Sequence, residues 1–376
     1  MPAPAKIASG APALLSQRGL QTLEIVDFRN IEAASLTFSP GLNLIGGENA
    51  SGKTSLLEAI YCLGRVRSFR TRQPEQPIRY GQSCYRLVGK LSRGAGQSLP
   101  VGIERSRSAL TVHLDGEPVR RLSDLAGSFS VQVLSADTPN LLNGGPRYRR
   151  QLLDWALFHV EQGYRDVWQR YTRILRQRNA ALRTHAHTSL VTSWDGELLE
   201  TAAQIDDLRQ SYLQRFEVLL AQEVAQLLPG ASIELNYLPG WPGHAGLAAT
   251  VAGALEKDRA HGYTRYGVHR SDFRLLIDGN DVAGHCSRGQ QKSVLVAFLL
   301  AQLRLQQERQ SPPGAFLLDD LGSELDDDHQ RRVLQALREL DAQVFVSAIE
   351  GDRVAVSDWQ SVARFHVEHG NIREVL

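Results

Sequence analysis

Residues Leu44-Ile-Gly-Gly-Glu-Asn-Ala-Ser-Gly-Lys-Thr-Ser55 contain, from Gly47 to Thr54, the pattern G-x-x-x-x-G-K-[ST]. Two glycines let a backbone turn tightly around an anion, and the peptide N–H groups of Gly47, Glu48, Asn49, Ala50, Ser51 and Gly52 then cradle phosphates at a helix N-terminus. Lys53 reaches the β- and γ-phosphates of a nucleoside triphosphate, the Thr54 hydroxyl holds Mg²⁺, and Ser55 continues the helix. The surroundings agree with this reading. Leu42, Leu44 and Ile45 make a short apolar strand before the loop, and Ser55-Leu-Leu-Glu-Ala-Ile-Tyr-Cys-Leu63 reads as a helix after it. Only five of the 42 basic residues are lysines, so a lysine kept at position 53 points to a compact charge instead of a planar fork.

Working outward, Thr22–Phe28 and Ala33–Phe38 read as strands, followed by the loop strand and its helix. Residues 65–83 are basic and proline-punctuated, hence loop. Strand-like runs follow at Tyr85–Leu91, Pro100–Glu104, Leu110–Leu114 and Ser130–Leu134, with Asp115-Gly116 as a hairpin turn. From Pro146 the period becomes helical. One helix is expected from Tyr148 to about Thr184 and a second from Glu197 to Leu228, with a break at Trp194-Asp195-Gly196, most simply as an antiparallel hairpin. Strands return at Ser232–Leu238 and Arg274–Ile277. A helix opens at Ser287, and buried strands are expected at Ala315–Leu318 and Val344–Ala348. Alternating strands and helices around a phosphate loop predict an α/β P-loop head with an inserted helical domain. The expected division is a disordered tail over 1–20, head over 21–145, helical arm over 146–228, and head again over 229–376.

Bulk properties narrow the function. Net charge is +1, so any basic surface is local. The three cysteines show no C-x-x-C spacing, which fits a reducing compartment and opposes a disulfide framework or structural zinc. No apolar run reaches membrane-spanning length, and residues 1–20 lack the apolar core of a signal peptide, so a soluble cytoplasmic protein is expected.

Two further elements carry chemistry. Asp319 ends an apolar strand and is the natural Mg²⁺ partner for Thr54; Asp320 beside it is the candidate base that activates water. Ser287-Arg-Gly-Gln-Gln-Lys292 places Ser287 and Gly289 at a helix N-terminus, a second anion-binding end. Residues 146–185 carry nine arginines against three acids, and Arg170, Arg173 and Arg176 form a stripe. The stripe suits DNA phosphates, but it equally suits pairing with the acidic helix that follows, which carries seven acids against Arg209 and Arg215. Arg147, Arg149 and Arg150 at the arm's base are less easily neutralised and are the better DNA candidates. Arg65, Arg67, Arg70 and Arg72 face either nucleotide phosphates, DNA or solvent.

The set of motifs resembles the ATP-binding cassette heads of the SMC class and, within it, the bacterial RecF family. The resemblance rests on Asp27-Phe-Arg-Asn30, Phe38-Ser-Pro-Gly41, the phosphate loop, Leu56-Leu-Glu-Ala-Ile-Tyr61 and Arg67-Ser-Phe-Arg-Thr71. It continues through Asn143-Gly-Gly-Pro-Arg-Tyr-Arg-Arg-Gln-Leu-Leu-Asp-Trp155, Gly267-Val-His-Arg270 and Ser287-Arg-Gly-Gln290. It ends with Leu318-Asp-Asp-Leu321, Ser323-Glu-Leu-Asp326 and Gln343-Val-Phe-Val-Ser-Ala348. What the resemblance implies is an ATP-induced homodimer on gapped or duplex DNA. The phosphate loop and Asp319-Asp320 of one copy would face Ser287, Gly289 and Gln290 of the other. Ser323–Asp326 would be a loop crossing the dimer. Slow, DNA-stimulated ATP hydrolysis would drive release. A RecR-type mediator protein would be a partner, and recombinase loading on single strands in the DNA-damage (SOS) response the outcome. Ser347 falls where transporter ATPases carry a switch histidine; a serine can still contact the γ-phosphate or water, which weakens a transporter reading. A nucleotide-gated clamp with negligible turnover is the other alternative, because Asp320 is a less common base than Glu. The family usually has Gly-Pro-His where this chain has Gly267-Val268-His269. Gln132 is the candidate for the Q-loop.

Overall fold

A computed structural model describes residues 18–94, 97–119, 125, 127–135, 144–161, 163–243, 246–308, 314–320, 327–340, 342–349, 356 and 358–375. The expected tail up to residue 17 and the expected dimer-crossing loop Ser323–Asp326 lie outside the described residues. The chain divides into two compact units, Met1–Ala136 with Pro312–Leu376, and Asp137–Ser311. The stretch 229–311, which the sequence assigns to the head, thus falls with the helical arm.

The first unit holds two six-stranded sheets. One is antiparallel, in the order Ile31–Thr37, Arg18–Phe28, Cys84–Gly94, Gln97–Ser106, Leu110–Leu114, Glu117–Pro118. The other runs Asn371–Val375, Val362–Glu368, Leu42–Gly46, Gln343–Ala348, Gly314–Leu318, Ser130–Leu134. Its four inner pairings are parallel and only the Asn371–Val375 edge is antiparallel. Strands buried on both faces read as continuous apolar runs, as Gly314–Leu318 and Gln343–Ala348 do. The helix Lys53–Arg65 is buried over most of its length, and Leu56, Leu57, Ile60 and Leu63 share one core with residues of both sheets, among them Leu23, Leu87, Leu317 and Phe345. Leu20 is buried at the start of the first strand because Gln343 clasps its backbone. Gln343 Oε1 accepts from Leu20 N at 2.8 Å, while Nε2 donates to Leu20 O at 2.8 Å and to Ser39 O at 2.9 Å. The first strand therefore begins at Arg18, inside the expected tail.

In the second unit the expected first arm helix is two helices, Pro146–Val160 and Tyr164–Arg183. Gly163 at φ 86 breaks it, a left-handed conformation that glycine adopts without a Cβ clash. The second arm helix is one piece, Asp195–Leu227. Its partner is more than the expected hairpin mate. It packs on Tyr164–Arg183 and also on Arg288–Glu308, where the Phe216 and Phe298 rings meet edge to face at 4.6 Å. A three-stranded antiparallel sheet, Asn280–Asp281, Asp272–Ile277, Ile233–Leu238, lies in the same unit.

Much of the arm's charge is consumed internally. Arg178 is fully buried and bonds Asp195 at 2.7 Å, Asp258 at 2.8 Å and Thr264 at 2.8 Å. Arg209, also fully buried, donates to Asp154 at 2.6 Å, Val268 O at 2.8 Å and Ser271 Oγ at 2.8 Å. His269 sits beside this network. Tyr171 Oη donates to its Nδ1 at 2.6 Å and its Nε2 donates to Thr264 O at 3.0 Å. Burial pushes the His269 pKa down to about 4, with Arg270, Arg150 and Arg209 adding to the drop.

Two predictions follow from these buried polar groups. Gln343→Leu strands the Leu20 amide and carbonyl and should cost about 2–4 kcal/mol in urea unfolding of the first unit; an unchanged midpoint contradicts the clasp. For His269, the unfolded chain takes up a proton between its ordinary pKa and about 4 while the folded chain does not. Stability therefore rises with pH through that window and falls on acidification, by on the order of 3 kcal/mol at the low end. His269→Gln should flatten this dependence of the urea midpoint between pH 7 and pH 5.

Candidate functional site

The parallel strands place the predicted chemistry along one edge. Ser347 pairs with Ile45, Leu318 with Val346, and Asp319 N donates to Leu134 O at 2.9 Å. The phosphate loop, Asp319-Asp320 and Ser347 thus leave the C-terminal ends of three neighbouring strands, the end at which open α/β sheets bind ligands.

The loop itself is held from behind. Ser51 O accepts from Asn30 Nδ2 at 3.0 Å and from Gly370 N at 2.8 Å. Gly47 lies at φ 150 and Gly52 at φ 124; a Cβ on Gly47 would stand 2.3 Å from Val367 O and one on Gly52 2.9 Å from the Asn30 amide. Ala50 takes φ 63 without being glycine, so backbone strain is stored at the loop's tip. Lys53 Nζ donates to Gly47 O at 2.7 Å and Glu48 O at 2.8 Å. Burial lowers its pKa, opposed by the charges of Asp320 and Asp319. Ser51 Oγ is buried without a hydrogen-bond partner among the described residues. A strained cradle of peptide groups, a lysine whose hydrogen bonds among the described residues go to the loop's own carbonyls and an unspent hydroxyl fit a bound triphosphate.

Asp319 is the hub. Its Oδ1 accepts from Thr54 Oγ1 at 3.0 Å and from Ser347 Oγ at 2.9 Å, and Ser347 Oγ in turn accepts from Asp320 N at 2.8 Å. Burial raises the Asp319 pKa; the Ser347 and Thr54 hydrogen bonds hold it down, Asp320 pushes it up and Arg70 opposes. Asp320 takes the left-handed backbone at φ 55. Thr54 and Asp319 offer two hard oxygens, and no cluster of three or more His, Cys, Asp or Glu exists among the described residues. That set suits Mg²⁺, which keeps waters and takes phosphate oxygens, better than zinc.

Sequence reasoning missed the support behind this edge. Glu58, fully buried on the loop helix, accepts from Arg29 Nε at 2.9 Å and Nη2 at 2.6 Å, from Ser68 Oγ at 2.5 Å and from Arg70 Nη1 at 3.3 Å. Arg70, raised as a DNA candidate, is thus tethered to the loop helix and lies near enough to act on Asp319. Asn30 and Glu58 both fall inside motifs quoted above, and a polar residue on an otherwise apolar helix face was the available signal for Glu58. Arg72 is exposed.

Gln132 belongs to the first unit, and the remaining predicted residues belong to the second. Ser287, Gly289 and Gln290 are exposed. Ser287 and Gln290 form a reciprocal cap, with Ser287 N donating to Gln290 Oε1 at 2.9 Å and Gln290 N to Ser287 Oγ at 3.2 Å. Gln132 is buried in mid-strand opposite Phe316, below the strand end, and its amide has no hydrogen-bond partner among the described residues. The expectation that Arg149 is less easily neutralised is corrected, whereas Arg150 meets only a neutral carbonyl. Arg149 makes a two-point pair with Asp272, both bonds 2.8 Å, and Arg150 donates to Ser271 O at 2.7 Å. Both partners are more than a hundred residues away in sequence, beyond local charge counting. Arg147 is exposed and has no ion pair among the described residues. Arg170 pairs with Glu197 at 2.7 Å and Glu200 at 3.5 Å, the helix-to-helix pairing weighed above, whereas Arg173 and Arg176 are exposed.

The fold and the site together define an ABC/SMC-type P-loop head with an inserted helical domain. Residues 19–373 match the RecF/RecN/SMC N terminal domain family. The chain is 39% identical over 355 residues to the DNA replication and repair protein RecF of Thioalkalivibrio sulfidiphilus, covering 94% of this chain and 99% of that protein. It is 38% identical over 354 residues to the protein of the same description from Edwardsiella ictaluri, again covering 94% and 99%. Among solved structures, the recombination mediator protein RecF-ATP of the RecFOR pathway superposes with a TM-score of 0.84 at 24% identity, covering 95% of this chain and 100% of that one. An Smc head domain from Pyrococcus furiosus, bound to the C-terminal domain of ScpA, gives 0.59 at 14% identity, covering 95% and 96%. The chain belongs to the RecF family.

Removing Asp319 should separate the two functions of this edge. Asp319→Asn should abolish the Mg²⁺ dependence of nucleoside triphosphate affinity in a fluorescent-nucleotide titration. Lys53→Ala should weaken binding about 100-fold with or without Mg²⁺, the loss of two charge-assisted contacts. Retained Mg²⁺ dependence in Asp319→Asn contradicts the assignment.

Proposed function

We propose that the chain is an ATP-dependent DNA-binding protein of replication and recombinational repair, acting in the cytoplasm without a membrane partner. ATP lies in the phosphate loop with Lys53 on its terminal phosphates. Thr54 and Asp319 would hold Mg²⁺, whose charge would offset that of the phosphate oxygens. Asp320 takes a proton from the attacking water, and Ser347 fixes Asp320 through its backbone while remaining within reach of the γ-phosphate side.

The observation that carries this reading is the shared Asp319 oxygen, which joins the loop helix to the acid pair before any ligand is bound. Support for the dimer comes from the exposed Ser287–Gln290 end: an anion-binding cap facing solvent suits the nucleotide of a second copy. ATP that binds the closed pair better than the open one, and DNA that does the same, are thereby coupled. Hydrolysis opens the pair and releases gapped or duplex DNA. RecF relatives are described as replication and repair proteins, and a solved neighbour as a recombination mediator of the RecFOR pathway. On that basis a RecR-type mediator is the expected partner and recombinase loading the expected outcome. Arg147 is the arm residue best placed for DNA.

One observation favours slow turnover. Asp320 is one methylene shorter than glutamate and sits on left-handed backbone, which suits a timer or a clamp over a fast ATPase. Asp320→Asn should slow single-turnover hydrolysis about 100-fold or more while leaving ATP-dependent DNA binding intact. Unchanged hydrolysis in this variant, with and without DNA, contradicts the base assignment.

A further inference from the structure

The motif Tyr266-Gly-Val-His-Arg270 has no part in the site above, yet it is built with care. A pocket of about 500 Å³ in the second unit is lined by Trp241, Pro242, Tyr263, Arg265, Tyr266 and Arg270. Two loops make it, and their backbones are strapped together. Gly267 N donates to Gly240 O at 3.3 Å, and within the second loop Arg270 N donates to Gly267 O at 2.8 Å. The approach is so close that a Cβ on Gly240, at φ 102, would stand 2.4 Å from Gly267 O. Beneath the rim, His269 is pinned on both ring nitrogens, which fixes its neighbour Arg270.

The lining is aromatic and cationic at once. The Arg270 guanidinium lies 5.3 Å from the Tyr263 ring centre and that of Arg265 lies 5.6 Å from the Tyr266 ring. Neither arginine forms an ion pair among the described residues. The nearby acids are already spent: Asp258 on Arg178, Asp154 on Arg209, and Asp272 on Arg149. Tyr263 is 39% exposed although it lies against a cation instead of a core. Exposed aromatic faces beside uncompensated guanidiniums match a ligand with a flat π-face and an adjoining phosphate.

We propose that this pocket binds an unstacked nucleotide of a single nucleic-acid strand, its base against Trp241 or Tyr263 and its phosphate on Arg265 and Arg270. A duplex keeps its bases stacked inside and cannot fill the pocket, so the site adds a preference for unpaired strand that the P-loop does not supply. It sits in the unit that lacks the P-loop and does not depend on ATP. An acidic peptide would match the cations but leave the aromatic faces unused.

The test uses the full chain without ATP and a fluorescent 12-nucleotide oligo-dT, read by anisotropy. Tyr263→Ala and Trp241→Ala should each weaken binding about tenfold, and Tyr263→Phe should keep it. Arg270→Gln should lower the slope of log affinity against log salt by about 0.7. Binding of a 12-base-pair duplex should not change. Thymidine monophosphate competing at millimolar level in wild type but not in Tyr263→Ala places the base in the pocket. Competition only by the oligonucleotide assigns the site to the strand backbone with a stacked base, and also supports it. Wild-type oligo-dT affinity in all three truncations, with melting curves unchanged, overturns the proposal. So does displacement of oligo-dT binding from none of the variants when a poly-glutamate peptide alone is sensitive to them. Because Lys53→Ala leaves this pocket untouched, loss of ATP binding there and loss of strand binding here fail independently.

Discussion

A single carboxylate oxygen organises the nucleotide edge. Asp319 Oδ1 accepts from Thr54 on the loop helix and from Ser347 on the next strand, so three strand ends are drawn to one point before any phosphate arrives. Burial raises the cost of that charge, and the two hydroxyls offset it. The rest of the first unit serves this geometry. The parallel sheet sets the level of the strand ends, Glu58 fixes the helix through Arg29, and Asn30 and Gly370 fix the loop through Ser51 O. A loop held this firmly loses little entropy when it closes on a ligand, which is how a strained tip at Ala50 is tolerated.

The second unit follows a different rule. Its helices are tied by buried arginines, Arg178 and Arg209, each bonded to several acceptors. A buried pair contributes little net stability but is costly to break, so it specifies which helix meets which. Ion pairs to Arg149, Arg170 and Arg178 offset part of the arm's apparent positive charge, so the basic surface that remains is narrower than composition suggests.

What the sequence made legible follows from range. The phosphate loop, the acid pair and the capped Ser287 helix are local patterns whose residue types carry their own mechanism, and the apolar runs before Asp319 and through Ser347 gave their strands away. The strand Val362–Glu368 carries no comparable apolar run, yet it lies directly beside the loop strand. The break at Gly163 was a single glycine inside a strong helical period. Arg149 was misjudged because its partner Asp272 is brought in only by folding. Glu58 escaped notice for the same reason: its four donor atoms come from two segments, Arg29 and the Ser68–Arg70 loop, brought in by folding.

In the proposed function the phosphate loop is half of a site that a second copy completes through Ser287–Gln290. Mixing two inactive variants tests it most directly. Lys53→Ala and Ser287→Arg chains should each remain monomeric in sedimentation with Mg²⁺-ATP. An equimolar mixture should form a dimer with one intact composite site, the loop of the Ser287→Arg chain facing the Ser287–Gln290 end of the Lys53→Ala chain. A mixture that stays wholly monomeric while wild type dimerises, or a Ser287→Arg chain that dimerises like wild type, would contradict it.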